Sequence, residues 1–116
     1  MEAALVSAIA SIFSGRVFPD WAPSDTPRPF AICQQVGGES VNFVDNTTPS
    51  KRNARVQINV WADSRLAATS LAKQVEDALI LAANMQARPL GALIALHDAD
   101  IEAYGAQQDF NVWAPR

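Results

Sequence analysis

One cysteine, one histidine and one tyrosine occur in 116 residues, and only 18% of the residues are charged. A single Cys33 excludes an intrachain disulfide, so the fold must rest on its hydrophobic core, as suits a reducing compartment. With His97 the sole imidazole, His97, Asp98 and Asp100 form a polar turn rather than a spaced set of metal ligands. There is no GxGxxG, P-loop, G-x-S-x-G or HExxH, so nothing marks a phosphate cradle, a nucleophile elbow or a zinc helix. No apolar run approaches the ~18 residues that a membrane-crossing helix needs. The opening MEAALVSAIASIF carries Glu2 and no basic segment, unlike a signal peptide. The Asn46-Thr47-Thr48 sequon is then expected to go unused. Basic charge is scarce as well. A net charge of −3 and a pI near 4.9 leave no wide positive field to displace counterions from a nucleic acid.

What is present is a well-patterned hydrophobic half. Apolar residues make up 49% of the chain, and the charged share lies below the roughly 25% usual for soluble proteins. That shortfall points to some surface meeting a partner instead of water. Residues 1–50 hold only Arg16 and Arg28 against Glu2, Asp20, Asp25, Glu39 and Asp45. Lys51, Arg52 and Arg55 form the one basic cluster, read as part of a solvated loop. The length suits one domain over 1–116.

Residues 54–83, ARVQINVWADSRLAATSLAKQVEDALILAA, are the clearest passage. Val56, Ile58 and Val60 alternate with Arg55, Gln57 and Asn59, the period-2 pattern of a half-buried strand. Asp63 or Ser64 can cap a following helix over 64–83 by accepting from its first free amides. At 100° per residue, Ala67, Leu71, Val75, Ala78, Leu79 and Ala82 share one stripe. Leu66, Ile80 and Leu81 fall outside it, so the C-terminal segment or another subunit must cover them.

A first helix is expected over 2–14, with Leu5, Ile9, Ile12 and Phe13 inward and Gly15 at its C-terminal cap. Its other face is Ala3, Ser7, Ala10, Ser11 and Ser14. Such small uncharged residues either admit a neighbouring helix or subunit or form a merely neutral surface. Pro19, Pro23, Pro27 and Pro29 then make an extended arm, with Trp21 expected to anchor it on the core edge. Residues 30–36 read as a strand, Gly37-Gly38 as a hairpin turn, 40–45 as the returning strand and 46–53 as a polar loop. Arg88-Pro89 closes the helical region. Residues 90–96 fit a strand better than a short helix, and 106–114 read as the last strand, with Phe110 and Val112 inward. The sum is an α+β fold: an antiparallel sheet of about four strands with two main helices packed on it.

The residues that carry chemistry are few. Cys33 alternates with Phe30 and Ile32 in an apolar strand, where cysteine is usually a small buried hydrophobe. Asp20, Asp25, Asp45 and Asp63 stand where turns and caps need them. No catalytic, cofactor-binding or metal-binding residue is expected, and no cofactor. Two tryptophans are out of phase. Trp61 shares its strand face with Arg55, Gln57 and Asn59, and Trp113 shares its own with Gln107, Asp109 and Asn111. Each is either an interface residue or a strand-end aromatic folded over the core edge. The expected interface set is therefore Trp61, Trp113, Leu66, Ile80, Leu81, Ser7 and Ser11.

The order of these elements resembles the tail completion, or tail terminator, proteins of long-tailed bacteriophages and prophages. In that family a short helix leads to a V-[YF]-P-x-x-A-P…P-[YF] arm, matched by Val17, Phe18, Pro19, Ala22, Pro23, Pro29 and Phe30. A strand ending in an aromatic then enters the long helix, and Trp61 matches that aromatic. The match covers roughly residues 1–82. The resemblance implies a structural, non-catalytic protein. It would form a ring, commonly a hexamer, that caps the finished tail tube, stops its polymerisation and presents a docking surface for the head. The implied partners are other copies of the chain, the tail tube protein and the head–tail connector, with no specific nucleic acid and no membrane. The implied locations are the bacterial cytoplasm during assembly and the virion tail. The alternatives are another connector or tail-assembly protein, or a small oligomeric binding module. An enzyme built on Cys33 and His97 has least in its favour.

Overall fold

The computed structural model describes residues 2–23, 25–40, 50–83 and 85–115. Six strands, β1 (Val17–Pro19), β2 (Phe30–Gly37), β3 (Lys51–Ala62), β4 (Gln86–Pro89), β5 (Ile94–Asp98) and β6 (Ala103–Pro115), form one sheet. Its order is β1-β2-β3-β6-β4, and β5 pairs β6 beside β4. The α+β class is as expected, with two strands more than the pattern suggested. One pair departs from antiparallel: β1 runs parallel to β2, Val17 opposite Ala31.

The spine is the long antiparallel pair β3–β6, in register from Lys51 opposite Pro115 to Ala62 opposite Tyr104. Ala54, Val56, Ile58, Val60 and Ala62 of β3 are buried, and so are Phe110, Val112 and Ala114 of β6. The period-2 reading of this strand and the inward Phe110 and Val112 both hold. Helices α1 (Glu2–Ile9) and α2 (Arg65–Ile80) cover that face, bringing Leu5, Ile9, Phe13, Val75 and Leu79 into one core. Burial of one such Leu contributes about 2 kcal/mol. No described helix covers the other face.

Several boundaries move. The first helix turns from α to a 3-10 turn at Ala10–Phe13 and ends on Ser14, whose φ of 53° is left-handed. Gly15 follows at φ 83°, in the conformation the capping reading required. Ser64 caps α2, its side chain accepting from the Ala67 amide. The buried line of α2 is Ala68, Ala72, Val75 and Leu79, rotated from the expected stripe. The difference lies in what covers each side: the sheet takes the two alanines, leaving Leu71, Ala78 and Ala82 only partly buried.

Gly37-Gly38 is not a hairpin turn. Gly37 pairs with Arg55, and the Glu39 amide donates to Asn53 Oδ1, so the chain continues alongside β3. A Cβ on Gly38 would stand 2.8 Å from Asn53 O, which explains the glycine there. The returning strand expected at 40–45 lies outside the described residues from 41 onward, as do residues 46–49 of the expected loop. Lys51, Arg52 and Asn53 are strand, not loop, because β6 extends far enough to pair them. The helix ends at Ile80, and Arg88-Pro89 belongs to β4 instead of closing a helical region. Residues 90–93 interrupt the expected 90–96 strand. Trp21 is 69% exposed and does not anchor the arm.

Candidate assembly surfaces

Arg28 does the anchoring that Trp21 does not. Its Nε donates to Asp63 Oδ1 at 2.6 Å and its Nη1 to the Ile101 carbonyl at 3.1 Å. Three segments meet there: the proline arm, the start of α2 and the β5–β6 turn. A groove opens between them, lined by Pro23, Asp25, Pro27, Phe30, Asp63 and Ile101. Arg65, at the first turn of α2, donates to the carbonyls of Gly105 and Leu96 and lies 5.4 Å from the Tyr104 ring centre. His97 stacks on that same ring at 4.7 Å. A cation in the first turn opposes the helix dipole. In the sequence, that mismatch was the available sign that Arg65 is employed outside its helix.

The uncovered face of the sheet is mostly amide. Gln34, Gln57 and Asp109 stand in one cross-strand row, Ile32, Asn59 and Gln107 in the next. Arg55 donates to Asp109 Oδ2 through both Nε and Nη2, at 2.9 and 2.7 Å. Trp61 and Trp113 lie on this face, both half-buried. Trp61 rests against Gly105 of the neighbouring strand, while Trp113 stands between Asn53 and Gln86. Phe18 and Phe30 meet edge to face at 6.5 Å near the Trp61 end.

The expected interface residues do not form one patch. Leu66 is 82% exposed at the start of α2, and Ile80 and Leu81 are 52% and 80% exposed at its end. Ser7 and Ser11 are exposed on the helical layer, opposite the two tryptophans. Cys33 and His97 are also kept apart: β3 and β6 stand between β2 and β5, a separation of about 14 Å at strand spacing. Among the described residues, no group of three or more His, Cys, Asp or Glu is placed to hold a metal ion, and no helix is long and apolar enough to cross a membrane.

Comparison with known proteins agrees with this architecture. No curated protein matches the chain. Among solved structures, it is similar to a chain of the "Virion of native gene transfer agent (GTA) particle", at 18% identity and a TM-score of 0.60, covering 100% of this chain and 95% of that one. At that identity the likeness speaks for the fold alone. The family described as tail completion protein gp17 matches residues 3–114. That match takes in both helices and nearly all of the sheet, including the C-terminal third where the sequence motifs were least distinct. The chain therefore belongs to the tail completion protein gp17 family and is a structural protein of a phage tail.

Proposed function

We propose that this protein assembles into a closed ring, a hexamer, on the end of a tail tube, halts tube growth and offers the head–tail connector a docking surface. Membership of the tail completion family is the observation that carries this reading. The exposed Leu66 at one end of α2 and the adjacent exposed Ile80 and Leu81 at the other are the candidates for its contacts. Closed rings repeat one contact between two different surfaces of the subunit. Trp61, Trp113, Ser7 and Ser11 are further candidates for contacts with neighbouring copies or with the tube. The partners are thus other copies, the tail tube protein and the connector. Assembly takes place in the bacterial cytoplasm and ends in the virion tail.

Light scattering coupled to size-exclusion chromatography tests the ring directly: a hexamer is expected, or a monomer that becomes a hexamer as concentration rises. Adding the protein to polymerising tail tube subunits should shorten the tubes. A strict dimer at every concentration, or tubes of unchanged length, would overturn the proposal.

A further inference from the structure

The exposed apolar residues of α2 stand at its two ends. Leu66 and Ile80 are separated by about 21 Å along the helix axis, in a molecule 53 Å long and 25 Å across. Their electrical surroundings differ as well. The end of the sheet where α2 starts with Leu66 carries Asp63 just after β3, Asp98 at the end of β5, Asp100 and Glu102 of the β5–β6 turn, and Asp25 across the groove, with exposed Ile101 among them. Three guanidiniums stand toward that end, Arg16 on the Pro29 carbonyl, Arg28 on Asp63 and the Ile101 carbonyl, and Arg65 on backbone carbonyls, so the five carboxylates remain in excess. α2 runs back along β3, so Ile80 and Leu81 share the opposite half with exposed Lys51, Arg52 and Arg88. Glu39 and Asp77 are the exposed acidic residues described there, the neighbouring Glu76 is turned onto Gln108, and Arg55 is paired with Asp109.

We propose that copies of this chain meet end to end, the acidic Leu66–Ile101 end of one against the basic Ile80–Leu81 end of the next. The inference rests on the ring reading and specifies its contact. Charge complementarity names the occupant as a second copy, because the chain itself carries both matching halves. A two-fold contact would set each end against its own like charges, which repel. A contact between unlike ends is heterologous, and such contacts close into rings when the rotation per copy allows. It also accounts for two separate apolar sites on one helix, one for each side of the contact. Because these charges are exposed, the contact should weaken as salt rises from about 0.05 M to about 1 M.

The experiment uses two double variants of the full chain. Asp100→Lys with Glu102→Lys makes the acidic end basic; Lys51→Glu with Arg52→Glu makes the basic end acidic. Circular dichroism checks that each stays folded, and native mass spectrometry reads the assembly. Each variant alone should associate at least about tenfold more weakly than wild type, since its own ends now repel. Mixed one to one, the two should assemble again with alternating subunits, because every contact then joins unlike charges. A wild-type ring whose reversed variants still assemble alone, or whose folded variants fail to assemble when mixed, overturns the end-to-end contact and leaves the ring standing. A wild-type chain that stays monomeric overturns both.

Discussion

Trp61 lies against Gly105 on the neighbouring strand, so closely that a Cβ at residue 105 would stand 2.9 Å from Trp61 Cε3. The two are opposed in the β3–β6 register, and the missing side chain at 105 is the space the indole occupies. Gly105→Ala should therefore cost about 1–3 kcal/mol, as overpacking usually does. Urea denaturation would measure it. In a Trp61→Ala background the same substitution should lose at least half its cost, because the two positions are in contact. An equal cost in both backgrounds would mean that the Val60 carbonyl, not the indole, is the obstacle.

Leu79 and Leu66 sit on the same helix, one fully buried and one 82% exposed. Leu79→Ala should destabilise the fold by about 2–5 kcal/mol through lost burial and the cavity left behind. Leu66→Ser should change the stability of the isolated subunit by less than about 0.5 kcal/mol while weakening assembly. Thermal unfolding of the monomer, set beside native mass spectrometry, separates the two effects.

Ser64 accepts from the Ala67 amide at 3.1 Å. Ser64→Ala leaves that amide without its cap and should cost about 1 kcal/mol; Ser64→Asp should keep most of the stability. Comparing the denaturation midpoints of the two variants gives the answer.

Gln108 is the one buried polar residue among those described. Its Nε2 donates to the Gly91 carbonyl at 2.9 Å and to Glu76 Oε1 at 3.3 Å, tying the break between β4 and β5 to α2. Gln108→Ala leaves the carbonyl without its donor, at a cost of about 1–3 kcal/mol. Amide exchange should quicken first around residues 90–94, and uniform acceleration across the sheet would count against so local a role.

The regular elements were readable because each announces itself within its own stretch of chain. Val56, Ile58 and Val60 alternate, Phe110 and Val112 do likewise, and Ser64 precedes a helical period. The misreadings came where distant partners decide. Lys51, Arg52 and Asn53 look like loop until residues 113–115 are known to pair with them. The α2 stripe rotates because the sheet accepts Ala68 and Ala72 at close range, a preference that a helical wheel weighted by large side chains does not register. Gly37-Gly38 resembles a turn, yet Gly38 is needed for a close approach to Asn53. Arg28 gave no local sign of its role, since Asp63 and Ile101 lie far along the chain. For the surfaces, exposure of Leu66, Ile80 and Leu81 was legible as misfit with the stripe. Their division between two ends of the molecule was not, because it depends on the direction in which α2 runs back along β3.

The strand that flanks β6 on its outer side comes in two short pieces, Gln86–Pro89 and Ile94–Asp98, with Pro89 and Gly91 at the break. A long straight border would present an uninterrupted row of peptide groups on which a stray chain could zip into an aggregate. Broken after four residues, this border is a poor template. A subunit built this way can stand at high concentration without zipping edge to edge, with its associations left to side chains that choose their partner.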